Sequence, residues 1–219
     1  MPERLNLIIL GKQGAGKGTQ CKRLAARYSI PHVSTGDILR AAIQADSPLG
    51  RSVASILDSG ALVSDDLVIK LIEDRFKEPD AHDGALLDGF PRTIAQAEAL
   101  EDLLGSDGIK LCIDLDVPTD LATQRLSTRR ICQECGSIYN ETDIEAISGT
   151  CSKCGGDVIQ RADDHPDAIR KRLEAYERDT EPLRAFYKTR GLLVTVNGDQ
   201  DPEDVTVAIQ SVITLRGLA

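Results

Sequence analysis

The feature that most constrains the fold is a glycine-rich segment that follows a short apolar run near the N-terminus. The apolar run, residues 5–10 (LNLIIL), has the length and composition of a buried strand in a parallel sheet. Residues 11–19 (GKQGAGKGT) follow it and contain the pattern G-x-x-x-x-G-K. Glycines let backbone N–H groups approach a polyphosphate, and Lys17 supplies a positive charge beside the start of a predicted helix. The segment therefore predicts a binding site for nucleotide phosphates.

One position of this segment differs from the general pattern, which has Ser or Thr directly after the lysine. Here Gly18 lies between Lys17 and Thr19. The surrounding sequence still supports a phosphate loop, because apolar residues recur at helical spacing from Cys21 to Tyr28. The segment thus lies between a buried strand and an amphipathic helix, which is the context that the motif requires.

Length and charge exclude several classes of protein. A chain of 219 residues is long enough for one large α/β domain with small insertions. Its formal net charge of −9 argues against a nucleic-acid partner, because phosphate backbones attract basic surfaces. No apolar run is long enough to span a membrane, and the N-terminus lacks the pattern of a signal peptide. We therefore expect a cytoplasmic protein with no membrane or nucleic-acid partner.

Four of the six cysteines form a pattern that is typical of metal sites. They are spaced C-x2-C-x15-C-x2-C, which lies within the range of zinc ribbons. Two disulfides are the alternative, but disulfides are uncommon in cytosolic proteins. The other two cysteines lie within apolar patterns, where cysteine acts as a small apolar residue. The predicted metal ligands are Cys132, Cys135, Cys151 and Cys154.

Beyond the phosphate loop, predicted strands alternate with amphipathic helices. This alternation predicts a parallel sheet with helices on both faces. Two stretches interrupt it: two short helical patterns up to residue 63, and a Cys- and Gly-rich region at residues 131–160 that has little apolar core of its own. The other predicted strands are residues 31–34, 85–87, 111–117 and 192–197, and the predicted helices include residues 64–77, with Ser64 as N-cap, and residues 167–178.

Charged residues at particular positions are candidates for the site. Asp88 follows a predicted strand directly, at the sheet edge where open α/β sheets bind ligands. Arg125 and Arg129 are four residues apart, so they are predicted to share one helix face, which in most proteins is solvated. Arg172, at the margin of an apolar stripe, either faces an anion or lies on a charged surface. His32 is expected to be an ordinary packed or surface histidine.

Several motifs together resemble the adenylate kinase family. They occur in the order and spacing of that family, and the resemblance covers nearly the whole chain. Gly18, unusual in the general phosphate loop, is typical of these enzymes. The motifs are GKQGAGKGT at 11–19, STGD at 34–37, GALV at 60–63, LDGFPR at 87–92, RR at 129–130, RADD at 161–164 and NGDQ at 197–200.

The resemblance implies an α/β fold with three parts. The core, a P-loop NTPase-type three-layer fold with a five-stranded parallel sheet, would comprise residues 1–33, 64–128 and 163–219. Residues 34–63 would form a helical domain that binds the nucleoside monophosphate. Residues 129–162 would form the lid, similar to the long, four-cysteine zinc type of many bacterial members. We use "the lid" for residues 129–162 below.

The chain departs from the family pattern at two places. Gln13 occupies a position of the phosphate loop where proline is common, and the lid has Glu141-Thr142-Asp143-Ile144 where an Asn-Pro-Pro stretch is usual after the tyrosine.

The activity implied by the resemblance is the reversible, Mg²⁺-dependent transfer of the terminal phosphoryl group from ATP to AMP, which gives two ADP. Mg²⁺ would accompany ATP, Zn²⁺ would be structural in the lid, and the enzyme would be a monomer. The residues expected at ATP are Gly14, Ala15, Gly16, Lys17, Gly18, Thr19, Arg129, Ile138, Tyr139 and Gln200. Those expected at AMP are Thr35, Arg40, Ala61, Leu62, Val63, Gly89, Phe90, Pro91, Arg92, Gln96, Arg161 and Arg172. The expected catalytic residues are Lys17, Arg92, Arg125, Arg129, Arg161, Arg172 and Asp88, with Asp88 orienting Mg²⁺ through water.

Other functions fit parts of the sequence. In UMP and CMP kinases the Ser-Thr-Gly motif commonly has Ala at the middle position, Asn tends to replace Gln96, and the lid is short. Thr35, Gln96 and the long lid therefore favour AMP, whereas GTP remains an alternative donor. A zinc-ribbon module that binds nucleic acid would explain the cysteines, but it leaves the phosphate loop without a function and conflicts with the charge of −9.

Overall fold

The computed structural model describes residues 4–218, and within them it contains eight strands and ten α-helices. The strands are β1 (Leu5–Leu10), β2 (His32–Ser34), β3 (Gly84–Asp88), β4 (Leu111–Asp116), β5 (Arg129–Cys132), β6 (Ile138–Asn140), β7 (Val158–Ile159) and β8 (Leu193–Asn197). The α-helices are α1 (Lys17–Tyr28), α2 (Thr35–Gln44), α3 (Pro48–Asp58), α4 (Asp65–Phe76), α5 (Ile94–Leu104), α6 (Thr119–Ser127), α7 (Ile144–Ser148), α8 (Pro166–Ala175), α9 (Pro182–Thr189) and α10 (Pro202–Leu215).

The main sheet has five parallel strands in the order β2-β3-β1-β4-β8. The apolar run at residues 5–10 forms β1 near its centre, and successive side chains of a strand point to opposite faces. Ile8 and Leu10 accordingly pack in the apolar cluster on one face, and Leu7 and Ile9 pack in the cluster on the other. The prediction of a five-stranded parallel sheet covered on both faces is therefore confirmed.

The helical pair α2 and α3 follows β2 directly. Ser34 caps α2 by accepting a hydrogen bond from the backbone N–H of Asp37 at 3.3 Å. Ser47 caps α3 in the same way for Gly50 at 3.0 Å, and Pro48 occupies the first helical position. The Ser47-Pro48 pair thus separates the two helices.

The cysteine-rich region forms a separate antiparallel sheet in the order β6-β5-β7, with the short helix α7 beside it. Its apolar cluster consists of only Cys132, Cys151 and Val158, together with the partly buried Tyr139 and Ala146. The expectation that this region has little apolar core is confirmed.

Three local predictions differ from the structure. Ser64 precedes α4, but its side chain makes no capping hydrogen bond. Arg125 and Arg129 do not share a helix face, because α6 ends at Ser127 and Arg129 begins β5. The helix predicted to end at residue 178 is α-helical only to residue 175 and continues as a π-helical turn, Tyr176–Thr180. Pro182 lies two residues after that turn, and proline lacks the N–H that a continuous α-helix requires.

Within the described part of the chain, no helix has both the length and the apolar character needed to cross a membrane.

Candidate active site

The phosphate loop connects the end of β1 to the start of α1 at the carboxyl edge of the main sheet. Gly14 and Gly16 have positive φ angles of 87° and 97°, a conformation that residues with a side chain rarely adopt. At Gly14 a Cβ atom would lie 2.5 Å from the carbonyl oxygen of Ala122, so the chain packs too closely for any other residue. The loop leads directly into α1, whose N-terminus is a favourable position for a negative ligand.

Lys17 is folded back into this loop. Its Nζ atom donates hydrogen bonds to the carbonyl oxygens of Gly11 at 2.6 Å and Lys12 at 2.9 Å. Burial lowers the pKa of Lys17 to about 8, and the nearby charges of Arg92 and Arg172 act in the same direction, against the opposing effect of Asp88. A negative ligand in the loop would restore the charged form of Lys17.

Asp88 ends β3, and its carboxylate faces the loop from the neighbouring strand. His32 on β2 lies with its Nε2 atom 3.2 Å from Asp88 Oδ2. Burial alone raises the pKa of Asp88, but the hydrogen bond with His32 and the charge of Lys17 outweigh burial and hold this pKa below its usual value. Asp88 is therefore ionised at neutral pH, as a carboxylate that orients a hydrated cation must be.

Cys21 lies next to His32 and Asp88. The Cys21 sulfur, a ring nitrogen of His32 and a carboxylate oxygen of Asp88 all lie within 4.8 Å of one another. Burial raises the pKa of the Cys21 thiol well above its usual value. A neutral thiol is a poor metal ligand. Cys21 is therefore better described as the small buried residue that the sequence predicts.

One large cleft, with a volume of about 1100 Å³, extends from the phosphate loop across the sheet edge to the lid. Six arginines line it, and we call them the arginine cluster. Burial and the charges of neighbouring arginines lower the pKa of Arg92, Arg161 and Arg172. The cluster consists of Arg40, Arg92, Arg125, Arg129, Arg161 and Arg172.

Two pKa values of the cluster show these effects. Burial and the charge of Arg172 lower the pKa of Arg92 to about 10. Burial and the charges of Arg40 and Arg129 lower the pKa of Arg161 to about 10. Both values lie far above neutral pH, so these two side chains remain charged and help to make the cleft a strongly positive site within an acidic protein.

Asp164 holds two members of the cluster in place. Arg129 forms a two-pronged ion pair with it, Nε to Oδ2 at 2.8 Å and Nη2 to Oδ1 at 2.6 Å. Arg172 donates from Nη1 to Asp164 Oδ1 at 3.1 Å and to the backbone carbonyl of Asp163 at 2.9 Å. The Asp164 side chain is 0% exposed, so this carboxylate is a fixed part of the site.

A side pocket of about 60 Å³ adjoins the cleft beside α2 and α3. Thr35 at the start of α2 donates a hydrogen bond to the carbonyl of Gly89 at 2.9 Å and thereby connects the two sides of the pocket. Phe90 faces away from it, because its side chain is 1% exposed and packs in the core. The residues predicted at AMP that line this side pocket are Thr35, Arg40, Ala61, Leu62, Val63, Gly89, Arg92, Gln96 and Arg172, and Pro91 and Arg161 line the cleft.

Comparison with known proteins identifies the family of this chain. A family model described as "Adenylate kinase" matches residues 9–192 of the chain. The chain belongs to the adenylate kinase family. Adenylate kinases from Kosmotoga olearia and Moorella thermoacetica are each 45% identical to it over 208 residues, covering 94% of this chain and 97% and 96% of those proteins. An adenylate kinase from Bacillus cytotoxicus is 44% identical over 218 residues, covering 98% of this chain and 100% of that protein.

Membership of the adenylate kinase family confirms the predicted enzyme class and reaction, a phosphotransferase that acts between ATP and AMP. The structure brings every residue predicted at ATP to the wall of one cleft. They come from the loop before α1, from α1 itself, from the lid sheet and from the loop before α10. The residues are Gly14, Ala15, Gly16, Lys17, Gly18, Thr19, Arg129, Ile138, Tyr139 and Gln200.

The four cysteines of the adenylate kinase lid lie together as free thiols, not as disulfides. Cys132 and Cys154 have their sulfurs 3.4 Å apart, and Cys135 and Cys151 have theirs 3.6 Å apart. Thiolates about 2.3 Å from a tetrahedral zinc ion have sulfurs about 3.8 Å apart. The cluster therefore fits a four-thiolate zinc site.

Tyr139 belongs to this cluster as well as to the cleft. Its hydroxyl lies 3.1 Å from the sulfur of Cys151. Donation of this hydrogen bond lowers the pKa of the Cys151 thiol, and thus favours the thiolate that a metal needs. The hydroxyl is therefore directed at the sulfurs, a contact that the sequence did not predict.

Two further residues of the adenylate kinase site were missed in the sequence. The sequence predicts an ordinary packed or surface histidine at His32, and the side chain is packed, but its ring also contacts Asp88. Asp164 belongs to the RADD motif, yet the sequence assigned it no function, although it holds Arg129 and Arg172. The only sequence signal for either was its position beside a recognised motif.

Proposed function

We propose that ATP lies along the phosphate loop, that AMP lies in the side pocket, and that the transferred phosphoryl group lies between them within the arginine cluster. One observation carries this arrangement. The cluster and Lys17 line the same cleft, and Arg40, Arg92 and Arg172 line both the cleft and the side pocket. The positive charges thus lie where the two nucleotides would bring their phosphates together.

The proposed ATP contacts divide into phosphate and base contacts. Residues 14–19 would surround the phosphates, with Lys17 as the charged member. Arg129, Ile138-Tyr139 and Gln200 would surround the base and the remaining phosphate charge. Asp88 would hold, through water, the Mg²⁺ that adenylate kinases use with ATP, and this ion would supply positive charge that offsets the charge of the phosphates. The ionised state of Asp88 fits this role.

Phosphoryl transfer needs positioning and charge stabilisation more than covalent chemistry. Arg92, Arg161 and Arg172 would contact the oxygens of the transferred group, with Arg125 and Arg129 beside them. Arg125 is held by a hydrogen bond from Nη1 to the carbonyl of Gly198 at 3.0 Å. Because Arg129 and Arg172 are fixed by Asp164, their geometry is set before the nucleotides bind.

Water must be excluded from such a site, because it competes with AMP as the acceptor. We propose that residues 34–63 form an AMP-binding domain and that the lid closes over ATP, both around the core of residues 1–33, 64–128 and 163–219. A zinc ion bound by the four cysteines would hold the lid together. Four thiolates fill a tetrahedral shell, so this metal would be structural and would leave no position for substrate.

We further propose that the enzyme acts as a cytoplasmic monomer and binds no nucleic acid. The net charge of −9 supports the last point, since it opposes binding to a phosphate backbone.

A coupled assay tests the nucleotide assignment. ADP formation is measured with ATP as donor and AMP, UMP, CMP or GMP as acceptor, and then with GTP as donor and AMP as acceptor. We expect the highest kcat/KM for ATP with AMP. Faster turnover of UMP or CMP would overturn the acceptor assignment, and equal rates with GTP would overturn the assignment of the donor base. Metal analysis of the same preparation should give one zinc per chain.

A further inference from the structure

We infer that Asp65 determines which purine the acceptor site takes, because it fixes the side-chain amide of Gln96 in one of its two possible orientations. This inference rests on the proposed binding of AMP in the side pocket. Gln96, in the first turn of α5, is 2% exposed and lines that pocket.

Two hydrogen bonds hold the Gln96 amide. Its Nε2 atom donates to Asp65 Oδ1 at 2.7 Å, and its Oε1 atom accepts from the backbone N–H of Arg92 at 2.8 Å. Asp65 is held in turn, because the hydroxyl of Thr93 donates to its Oδ2 atom at 2.9 Å. Asp65 is also the first residue of α4, where a negative charge is stabilised by the helix N-terminus.

Each of the two groups bonded to the Gln96 amide can form only one kind of hydrogen bond with it. A carboxylate accepts hydrogen bonds, and a backbone N–H donates them. If the amide of Gln96 turned by half a rotation, its oxygen would face the Asp65 carboxylate and its NH₂ group would face the N–H of Arg92. Two hydrogen bonds would be lost and two repulsive contacts would replace them, so only one orientation is populated.

This fixed orientation leaves one donor and one acceptor of Gln96 for a ligand. A glutamine amide has two N–H donors and two acceptor positions on its oxygen, and the contacts above use one of each. Adenine offers an N6–H donor beside the N1 acceptor. A 6-oxopurine offers the reverse, an O6 acceptor beside an N1–H donor.

A freely rotating glutamine could therefore pair with either kind of purine by turning its amide. The amide that Asp65 holds can pair with only one of them, and the wrong purine would leave buried polar groups unpaired. Since the family acts on AMP, we assign the fixed orientation to adenine. Asp65 is thus a positioning residue, which acts on the substrate only through Gln96.

The variant Asp65→Asn tests this inference. Asparagine has the same shape, but its amide can donate as well as accept, so it removes one of the two obstacles to the turned orientation. The measurement is kcat/KM with ATP for AMP and for inosine monophosphate, a 6-oxopurine without the 2-amino group of GMP. We expect the preference for AMP over inosine monophosphate to fall at least tenfold.

Asp66→Asn is the matched control. Asp66 lies in the same first turn of α4 but is exposed, so the preference should stay within twofold of wild type. If Asp65→Asn lowers kcat/KM for both acceptors by the same factor, Asp65 has only a structural role and the inference is wrong.

Gln96→Ala separates this inference from the proposed site itself. If that variant leaves the KM for AMP unchanged, adenine does not bind at Gln96 and the proposed acceptor site is wrong. If it raises the KM for AMP while Asp65→Asn leaves the preference unchanged, the acceptor site stands and only the inference about Asp65 fails.

A measurement on wild-type protein does not depend on the folding of any variant. The side-chain NH₂ signals of Gln96 are assigned in wild-type protein by NMR, through bond-by-bond correlations to the Gln96 backbone. Without nucleotide, we expect the proton bonded to Asp65 to exchange with solvent at least tenfold more slowly than an exposed glutamine amide. Exchange at the rate of an exposed amide would show that Gln96 is free to turn, and would overturn the inference.

Discussion

The side chain of Lys22 on α1 donates a hydrogen bond to the carbonyl oxygen of Gly136 at 2.8 Å. Gly136 follows the metal-ligand candidate Cys135, and α1 begins in the phosphate loop. This contact therefore joins the turn at residues 132–136 of the lid directly to α1, the helix that would bind the phosphates. Both residues line the cleft, so the bond lies at its rim and holds the lid close to the core.

Replacement of Lys22 by methionine should loosen this closed arrangement. An exposed hydrogen bond contributes about 1 kcal/mol, so its loss would shift lid closure by up to about fivefold. We expect the KM for ATP to rise two- to fivefold, with little change in the thermal unfolding midpoint. Arg27→Met, on an exposed position of the same helix, is the control. An unchanged KM for ATP would show that the contact does not influence closure.

Arg92→Ala should lower kcat by about a hundredfold or more, because removal of one donor to the transition state costs about 3–4 kcal/mol. Arg92 is a cleaner test than Arg172, which also holds Asp164. Steady-state kinetics and circular dichroism on the same preparation give the rate and the fold. Arg170→Ala, which removes an exposed arginine paired with Asp167 and Glu174, should retain activity. Near-normal turnover of a folded Arg92→Ala variant would refute the proposed contact.

Binding of ATP should take up a proton at alkaline pH. Without ligand, the pKa of Lys17 is about 8, because burial disfavours its charge. Phosphates beside it would raise this pKa, so above pH 8 Lys17 is mostly neutral in the free site and charged in the occupied site. The affinity for ATP should therefore fall by up to about tenfold per pH unit above that point.

Titration calorimetry at pH 7 and pH 9, in buffers of different ionisation enthalpy, measures this proton uptake. We expect uptake with wild-type protein at pH 9 and much less at pH 7. The Lys17→Met variant should lack this proton uptake at both pH 7 and pH 9. Equal uptake by wild-type protein and variant at pH 9 would mean that another group is responsible.

Removal of the metal should lower the stability of the lid more than it lowers the rate of phosphoryl transfer. The lid has an apolar cluster of only a few residues, so four thiolate bonds would supply most of its stability. We expect chelation, or Cys154→Ser, to abolish zinc binding, lower the unfolding midpoint and expose residues 129–162 to protease, with some phosphoryl transfer retained. Metal analysis, limited proteolysis and calorimetry provide the data. Activity that falls in step with zinc while stability is unchanged would contradict a structural metal.

The sequence predicted those parts of the site that depend on local patterns. The phosphate loop and the strand before it are recognisable because the geometry of a tight turn requires glycine at fixed positions. The four cysteines are recognisable because a tetrahedral metal restricts their spacing. The loop glycines and the four sulfurs lie together in the structure as these patterns require.

The missed features depend on partners that are distant in the sequence. Asp88 is 56 residues from His32, Asp164 is 35 residues from Arg129, and Gln96 is 31 residues from Asp65. A local pattern predicts that a charged residue is exposed or buried, but it does not identify a partner on another element. Conversely, a four-residue spacing alone placed Arg125 and Arg129 on one helix, although the helix ends between them.

The ion pair between Arg129 and Asp164 joins the chain where it enters the lid to the chain just after it leaves. The ion pair therefore holds the two ends of the lid together next to the core. A lid of different sequence, grafted between Arg129 and Asp164, would keep this ion pair. The stability of the lid could then be varied while the phosphate loop itself stays unchanged.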